Sequence, residues 1–352
     1  MITYLGIFLF LALLAMLDTE RYEALNIKVF AVLTFLLLLV GTRENVGCDY
    51  VVYAYKYMIS GQLLEASTGL FDGNSNEIGF LYLNNFFASH GWDLVWFNLF
   101  VTLMFVIGFF LYVRRHPDPL FLIAVLFPFL FLGLAMSGVR QTMAFAFFLA
   151  GVSYLLKNRP FSYTACILVG ALFHTSVVFF LPLAIIPWVE RQRVGAAIAF
   201  MILVPIGFAL AQSRVGVYSE RYIEGDTEAA GAIIRAAVIS IPGFAYFAWP
   251  KKFVLQPPVR DHFVRYGSIL AVSILPITLY SSVAGERLGL YIAPFSASIA
   301  MHLIMTLEGN RRTQARLIAL GLVGGYLFAW LLLSDKADQC YIPYDSTLFS
   351  IF

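Results

Sequence analysis

The sequence predicts an all-α polytopic membrane protein that crosses the bilayer about twelve times. Hydrophobic residues make up 61% of the 352 residues, charged residues only 12%, and the mean hydropathy is +0.82. A soluble domain has roughly 45–50% apolar and about 25% charged residues, so this chain has too little polar surface to fold in water. Three cysteines exclude a disulfide scaffold, and a net charge of +2 without a basic tail gives no sign of nucleic-acid binding.

Apolar runs of about 20 residues are long enough to cross a bilayer as helices. Such runs lie at 2–17, 27–41, 94–113, 119–136, 139–156, 194–212, 232–249, 263–280, 285–307 and 315–333. A further stretch, 161–188, is too long for one upright helix and holds His174 near its centre and two prolines later. It predicts two short helices that meet near His174, or a re-entrant pair.

The lysines and arginines indicate the orientation, because they prefer cytoplasmic loops. If 161–188 crosses the membrane an even number of times, most of them lie on one side, whereas a single crossing scatters them over both faces. The even count predicts that both termini are outside, with a long outer loop at 42–93 and a second at 213–231. Without a detectable internal repeat, residues 1–352 are predicted to form a single integral membrane domain.

Six arginines remain on the predicted outer side, where topology selects against cations: Arg43, Arg140, Arg214, Arg221, Arg235 and Arg287. An arginine near a helix centre costs about 2.5–3.5 kcal/mol on insertion scales. Ion pairs are one explanation, as for Arg287 beside Glu286. The other is an anion site, because arginine binds phosphate through two parallel hydrogen bonds and stays charged. Several arginines at one membrane interface suit a lipid-linked diphosphate.

Helical spacing brings some of these arginines onto shared faces with other polar residues. The groups are Ser137, Arg140 and Gln141; Arg214, Tyr218 and Arg221; and Arg287 with Tyr291. In the long outer loop, Asp49 stands where it can cap a helix, and Tyr50, Tyr53 and Tyr57 follow on one stripe. That stripe is either an interfacial helix with an aromatic belt or a platform for stacking sugars beside an acid.

His174, in Phe173-His174-Thr175-Ser176, is the histidine that lies inside an apolar stretch. It is either a histidine that packs between helices or a functional residue, as ionisable groups inside membranes usually are. An imidazole is well matched to general-base catalysis near neutral pH. The sequence has no Walker loop, no HExxH and no GxSxG motif.

These motifs, taken in order, resemble the EpsG-type members of the Wzy-like polysaccharide polymerases. The matching residues begin with the G-x-R-x-x-V-G-x-D-Y pattern from Gly41 to Tyr50 and Glu77-Ile78-Gly79. They continue through Ser137-Gly138-Val139-Arg140-Gln141, Phe173-His174-Thr175-Ser176, Glu286-Arg287-Leu288 with Tyr291, and Tyr341-Ile342-Pro343-Tyr344. Family tails often carry a basic residue soon after the Pro-Tyr, whereas Asp345 follows here.

The resemblance implies a GT-C-like fold and a metal-independent glycosyltransferase of the bacterial cytoplasmic (inner) membrane. Its active site would face the periplasm or cell exterior. The enzyme would transfer a polyprenyl-diphosphate-linked oligosaccharide onto a lipid-linked repeat unit in O-antigen, capsule or exopolysaccharide synthesis. No cofactor is expected. Expected partners are the lipid-linked glycans, membrane lipid, and a chain-length regulator and flippase of the same pathway.

Combined with the residue chemistry, the resemblance suggests a role for each candidate residue. Arg140 and Arg287 would stabilise the leaving diphosphate, with Arg214 and Arg221 as second choice. His174, or else Asp49, would deprotonate the acceptor. The remaining predicted substrate-binding residues are Arg43, Tyr50, Tyr53, Glu77, Gln141, Ser176, Glu286, Tyr291 and Tyr344.

Three other functions compete with the polymerase. A lipid-linked oligosaccharide flippase would share the arginines but should place cations along a path through the membrane, whereas these gather on one side. A membrane O-acyltransferase needs a reactive histidine or basic cluster near the cytoplasmic face, and the loops there contain only His116 and His262. A ligase that joins finished glycan to a lipid core belongs to the same enzyme class, and only the ordered motifs favour the polymerase.

Overall fold

The structure is a computed structural model, and it describes residues 1–17, 25–66, 77–187, 231–249 and 261–348, with the isolated positions 198 and 202. Within these ranges every regular element is a helix, and an isolated bridge joins Arg43 to Ser346. The α-helices are α1 (Ile2–Leu17), α2 (Leu25–Gly41), α3 (Tyr50–Met58), α4 (Ser60–Glu65), α5 (Ile78–Ser89), α6 (Leu94–Val113), α7 (Pro119–Leu126), α8 (Val139–Leu156), α9 (Pro160–Ala171), α10 (Ala232–Ala248), α11 (Asp261–Tyr280), α12 (Ser282–Met305), α13 (Gly309–Leu333) and α14 (Asp335–Tyr341).

Two helices in the described chain depart from α geometry. A π-helix, Phe127–Ala135, continues α7, and a 3₁₀ helix, Thr175–Ile185, follows α9. Pro128 lies in the first turn of the π-helix and Pro182 lies inside the 3₁₀ helix. Because proline has no backbone N–H, each interrupts the regular α hydrogen-bond ladder.

Each predicted span that lies in the described residues corresponds to a helix. Among the residues that the structure describes, five helices are long and apolar enough to cross a membrane: α6, α8, α12, α13 and the Phe263–Tyr280 part of α11. Six apolar segments are shorter: α1, Ile27–Gly41, Pro119–Ala135, α9, the 3₁₀ helix and α10. The chain is therefore a helical, polytopic membrane protein by length and composition, while the count of twelve crossings stays a prediction. The span 194–212 and the loop 213–231 fall almost wholly outside the described residues.

The helices do not all have the same bounds as the predicted apolar runs. The last long helix begins at Gly309 rather than 315, because the polar first turns Gly309-Asn-Arg-Arg are helical without being apolar. The long loop at 42–93 contains three helices. The first, α3, follows Asp49 where the sequence predicts a helix, whereas α4 and α5 were not predicted. The stretch 161–188 does form two short helices on either side of His174, as predicted.

The chain divides into two compact units. Unit 1 comprises Met1–Val32, Val113–Gly133 and Tyr222–Tyr344. Its α10, α11 and α12 pack against one another, and α13 packs on α1, α7 and α12. The single-domain prediction is not tested by this division.

Unit 2 comprises Leu33–Tyr112, Leu134–Arg221 and Asp345–Phe352. In it α9 packs on α8 and folds back along the 3₁₀ helix, while α5 packs on α3 and α4. A buried aromatic cluster that includes Phe80, Phe87 and Phe97 fills the space beside α3, α5 and α6. The candidate active site lies in this unit.

Candidate active site around Glu77

Glu77 is a buried carboxylate at the start of α5, and its side chain is only 3% exposed. It occupies the N-cap position but makes no capping hydrogen bond, so its carboxylate is used elsewhere. Oε2 accepts a 2.8 Å hydrogen bond from Nη1 of Arg140. Oε1 accepts from the backbone N–H and the hydroxyl of Thr175, at 3.4 Å each. Both carboxylate oxygens are therefore engaged by charged or polar partners, as a buried carboxylate requires.

His174 contacts the same carboxylate from the turn between α9 and the 3₁₀ helix. Its Nδ1 lies 3.2 Å from Oε1 of Glu77, an ion-pair contact rather than an aligned hydrogen bond. His174 is 6% exposed, and its extended backbone ends α9 and begins the 3₁₀ helix. The backbone turn holds the ring in place, since the His174 N–H donates to the carbonyl of Gly170. The turn between α9 and the 3₁₀ helix thus places the imidazole of His174 beside the buried carboxylate of Glu77.

Arg140 completes the cluster from the first turn of α8. Its side chain is 19% exposed, and its guanidinium lies 6.0 Å from the centre of the Phe80 ring. It also hydrogen-bonds Tyr53. Burial raises the pKa of the Tyr53 hydroxyl and the guanidinium lowers it in part, so the phenol stays protonated near neutral pH. A carboxylate, an imidazole, a guanidinium and a phenol thus form one buried network.

Close backbone packing explains why glycine stands at position 79. The N–H of Gly79 donates a 2.8 Å hydrogen bond to the carbonyl of Leu172, in the turn that carries His174. A Cβ at Gly79 would lie 2.7 Å from that carbonyl oxygen, a distance that real side chains do not adopt. The start of α5 and the histidine turn can therefore meet only if this residue is glycine, and this contact sets the distance between Glu77 and His174.

The motif from Gly41 to Tyr50 packs beside the start of α8. Arg43 is 3% exposed and donates to the carbonyls of Val40 (2.7 Å), Met136 (3.0 Å) and Val46 (3.2 Å). Gly47 has a φ of +104°, and a Cβ there would overlap the carbonyl oxygen of Met136. These contacts join the loop to the end of the π-helix, next to Arg140. The predicted binding of sugars by Arg43 stays a prediction.

The aromatic stripe of α3 faces inward. Tyr53 and Tyr57 are each 8% exposed; Tyr53 meets Phe80 edge-on, and the hydroxyl of Tyr57 donates to the carbonyl of Trp92. Tyr50 is half-buried. Asp49 precedes α3 as its N-cap residue but makes no capping hydrogen bond, so the predicted side-chain cap was wrong. These contacts give the stripe a packing role, and its role as a sugar platform stays a prediction.

Gln141 and Ser176 lie beside the network in sequence and are each 8% exposed. The side-chain nitrogen of Gln141 is buried and has no hydrogen-bond partner among the described residues. A buried amide without a partner costs free energy unless something binds it. That cost makes Gln141 a candidate contact for a bound substrate.

The remaining predicted site residues belong to unit 1 or fall outside the described chain. Glu286, in the second turn of α12, accepts a 2.9 Å hydrogen bond from Nη1 of Arg235. Arg287 is next along that helix, and Tyr291 is completely buried there. Tyr344 meets Tyr4 edge-on at 5.9 Å. Arg214 and Arg221 lie outside the described residues.

Sequence reasoning found the three charged members of the unit 2 network but not their pairing. It gave Glu77 a separate role in sugar binding, because Glu77 lies 63 residues from Arg140 and 98 from Thr175. It did not select Thr175, although that residue follows His174 in the same motif. Arg235 was noted as an unexplained arginine without being assigned to a site, and its partner Glu286 is 51 residues away.

The family model for the EpsG family matches residues 26–346. The chain belongs to the EpsG family. No curated protein and no solved structure matches it. The family match covers every motif described above, including the residues of the Glu77 network.

EpsG family membership points to a polysaccharide polymerase-type function in envelope glycan synthesis. It also suggests a glycosyltransferase-like enzyme that acts on lipid-linked glycans in the membrane. The apolar helices agree with a multi-pass membrane location. The chemistry of the site depends on the residues of the Glu77 network.

Proposed function

We propose that this EpsG family member is a glycan polymerase that uses a polyprenyl diphosphate donor. It transfers the oligosaccharide from that donor onto a lipid-linked repeat unit at the outer face of the cytoplasmic membrane. The reaction needs neither a nucleotide sugar nor ATP, because the free energy resides in the glycosyl diphosphate, and we propose that it proceeds without a metal ion. The product is an O-antigen, capsule or exopolysaccharide chain.

The observation that carries this proposal is the buried contact of Glu77 with both His174 and Arg140. An ionisable network inside an apolar helical protein is costly, so it is retained where it has a function. A carboxylate beside an imidazole is an arrangement that orients a general base and stabilises its protonated form. Glycosyl transfer to a hydroxyl needs such a base.

In the proposed reaction, Nε2 of His174 accepts the proton of the acceptor hydroxyl while Nδ1–H points to Glu77. A small rotation of the ring aligns the 3.2 Å contact into a hydrogen bond, a tightening that is common when substrate binds. The acceptor oxygen forms a bond to the anomeric carbon, and the bond from that carbon to the diphosphate oxygen breaks. The diphosphate leaves with the electron pair, and Glu77 stabilises the imidazolium.

Arg140 has two roles in this proposal. Its Nη1 holds Oε2 of Glu77 and so fixes the carboxylate that orients His174. Its side chain is 19% exposed, and its guanidinium is our candidate for stabilising the negative charge that grows on the leaving diphosphate. Arg287 of unit 1 remains a second candidate for binding diphosphate, and Asp49 a second candidate for the base. A chain-length regulator and a flippase of the same pathway are the proposed protein partners.

The test is the chain length of lipid-linked and surface glycans in cells that carry single variants of the gene. His174→Ala and Glu77→Gln should slow polymerisation by about 10²–10⁴-fold, the usual contribution of a positioned acid or base, and leave single repeat units. His90→Ala is the matched control, because His90 is exposed and its contacts, the carbonyl of Phe86 and the rings of Phe86 and Trp92, lie outside the Glu77 network. It should support normal chains.

Two results would contradict the proposal. If the His174→Ala variant makes full-length chains at normal protein levels, His174 is not the general base. Single units that accumulate on the cytoplasmic leaflet, rather than the outer one, would indicate a flippase instead. The side on which the units accumulate is measured by their access to an added glycosidase in intact cells and in inverted vesicles.

A further inference from the structure

We propose that unit 1 holds a binding site for a polyprenyl diphosphate, with the first part of the isoprenoid chain in an apolar cavity and the diphosphate at Arg235. The proposal rests on the proposed function, because it identifies where this chain receives the lipid part of a lipid-linked glycan. It is carried by residues of unit 1 alone.

The cavity lies among four elements of unit 1 and has a volume of about 120 Å³. Its walls are almost entirely apolar and come from α7 with the π-helix, α10, α12 and α13, with small side chains at Ala293, Ala297, Ala300 and Ala319. The hydroxyl of Ser296 also lines the cavity, but it donates to the carbonyl of Ile239 at 2.7 Å. Its proton is therefore not available to a bound molecule. A space with such walls fits a hydrocarbon chain.

The cavity reaches the apolar outside of the unit. Ile241 and Leu322 line it and are 50% and 52% exposed. A chain that comes from surrounding lipid can therefore enter sideways between α10 and α13, without passing a polar barrier. A lipid-linked substrate needs such an entry, because its tail stays in the bilayer while its head group reacts.

A charged cluster stands at one end of the cavity. Nη1 of Arg235 donates to Oε1 of Glu286 at 2.9 Å, and Nε donates to the hydroxyl of Tyr326 at 3.1 Å. Arg235 is 8% exposed, and the two N–H groups of its Nη2 have no partner among the described residues. The Glu286 side chain is 31% exposed, so the cluster is not sealed. A guanidinium held at two positions, with its remaining donors unused, is ready to bind phosphate oxygens.

The cavity and the cluster are continuous. Phe129, which lines the cavity, stacks on the ring of Tyr326 with centroids 5.0 Å apart and planes 9° apart. Val238 follows Arg235 by three residues in α10, and Val323 precedes Tyr326 by three in α13, and both line the cavity. Three residues of α-helix rise about 4.5 Å. The apolar space therefore begins within about one helical turn of the charged cluster, which is the layout of a polar head and its tail.

The charges at this end favour an anion. Glu286 pairs with Nη1 of Arg235 and leaves the N–H groups of Nη2 to bind an anion. Glu286 acts as a positioning residue, since its bond fixes the guanidinium of Arg235. An uncharged lipid would gain nothing from these donors, whereas a diphosphate would bind through charge-assisted hydrogen bonds. A diphosphate also offers more charged oxygens than the single phosphodiester of a bulk phospholipid, so the donors favour a polyprenyl diphosphate.

The first test is to map where the lipid binds in the purified wild-type protein. The probe is a polyprenyl diphosphate with a photoreactive diazirine in its first isoprene units, added to protein in detergent micelles. Irradiation should label residues of α10, α12 or α13 that line the cavity. An excess of unlabelled polyprenyl diphosphate should prevent the labelling, and the same excess of a diacyl phospholipid should not. Labels elsewhere, or equal competition by the phospholipid, would overturn the proposal.

A matched pair of variants on one helix tests the cavity itself. Ala319 lines the cavity, whereas Gly321 is exposed and a Cβ there meets no atom within 4 Å. Ala319→Phe should lower the labelling at least about tenfold, a change of about 1.4 kcal/mol in binding, and Gly321→Phe should leave it unchanged. If Ala319→Phe does not fold, Ala300→Phe fills the same cavity from α12. Unchanged labelling in a folded filling variant contradicts the proposal.

The two proposals can fail separately. Labelling is measured without a glycan acceptor, so it reports binding of the lipid even if the protein polymerises nothing. If Ala319→Phe keeps normal polymer and normal labelling while His174→Ala makes only single units, the lipid site is wrong and the polymerase stands. The opposite result is also possible. If the wild-type protein is labelled specifically but the His174→Ala variant still makes full-length chains, the lipid site is supported and the catalytic role of His174 is wrong.

Discussion

Arg43 shows how a single buried charge can support a site through contacts with the backbone. Its guanidinium donates to three backbone carbonyls that belong to the end of α2, the following loop and the residue after the π-helix. A carbonyl acceptor satisfies a cation without neutralising it, so the arginine keeps its charge inside the protein. The contact with Met136 places the loop four residues before Arg140 in the chain. Arg43 therefore supports the region from which Arg140 reaches Glu77.

We expect Arg43→Ala to destabilise the protein by about 3 kcal/mol, because it leaves buried carbonyls without donors and hydrogen bonds to charged groups are worth about 1.5–3 kcal/mol each. The measurement is the free energy of unfolding in mixed micelles. Arg311→Ala is the control, since Arg311 is exposed at the start of α13, and it should change the stability by less than about 0.5 kcal/mol. Equal stability of the two variants would show that the carbonyl contacts are not important for the fold.

At the scale of elements, the pair formed by α9 and the 3₁₀ helix decides where His174 stands. The two segments pack side by side, and the hydroxyl of Tyr163 in α9 donates a 2.6 Å hydrogen bond to the carbonyl of Phe180 in the 3₁₀ helix. Tyr163 is completely buried. The hydrogen bond lies below the turn and holds the two segments together. The position of the imidazole therefore depends on a contact outside the Glu77 network.

We expect Tyr163→Phe to leave the carbonyl of Phe180 without its donor, at a cost of about 1–2 kcal/mol, and to loosen the turn that carries His174. The protein should still reach the membrane, but polymerisation should slow more than the amount of protein falls. Glycan chain length and immunoblotting of membranes measure the two effects. Tyr55→Phe, at a position 58% exposed, should alter neither. A loss of chain length that only follows a loss of protein would contradict this positioning role.

How far the sequence predicts these elements depends on which physical signal each one carries. The spans follow from hydropathy, which is a local property, so α6, α8 and the break at His174 were all predicted. The helices α3 and α5 have a mixed composition, and their burial comes from contacts with distant aromatic residues such as Phe97. The pairing of Glu77 with Arg140 and His174 depends on the tertiary fold. One sequence names these residues by their unusual chemistry but does not show which of them meet.

At the scale of the whole molecule, side-chain contacts group the helix ends of unit 1 into two sets. Tyr4 at the start of α1 meets Tyr341 at the end of α14, and the starts of α10 and α12 meet through Arg235 and Glu286. In the second set, Arg316 near the start of α13 pairs with Asp118 at 3.0 Å and donates to the carbonyl of Ala15. The first set lies on the predicted outer side and the second on the predicted cytoplasmic side.

This grouping allows a test of the predicted orientation with one label on each side. Asn310 lies in the exposed first turn of α13, and Gln339 is exposed in α14. Because basic residues keep their side of a helical protein cytoplasmic, a membrane-impermeant maleimide should modify Gln339→Cys in intact cells and Asn310→Cys only after permeabilisation. The unsubstituted protein provides the background from native cysteines. The reverse pattern would put the Arg235 cluster on the cytoplasmic side, where an outer-face lipid diphosphate could not reach it. Labelling of both positions in intact cells would mean that α13 does not cross the membrane.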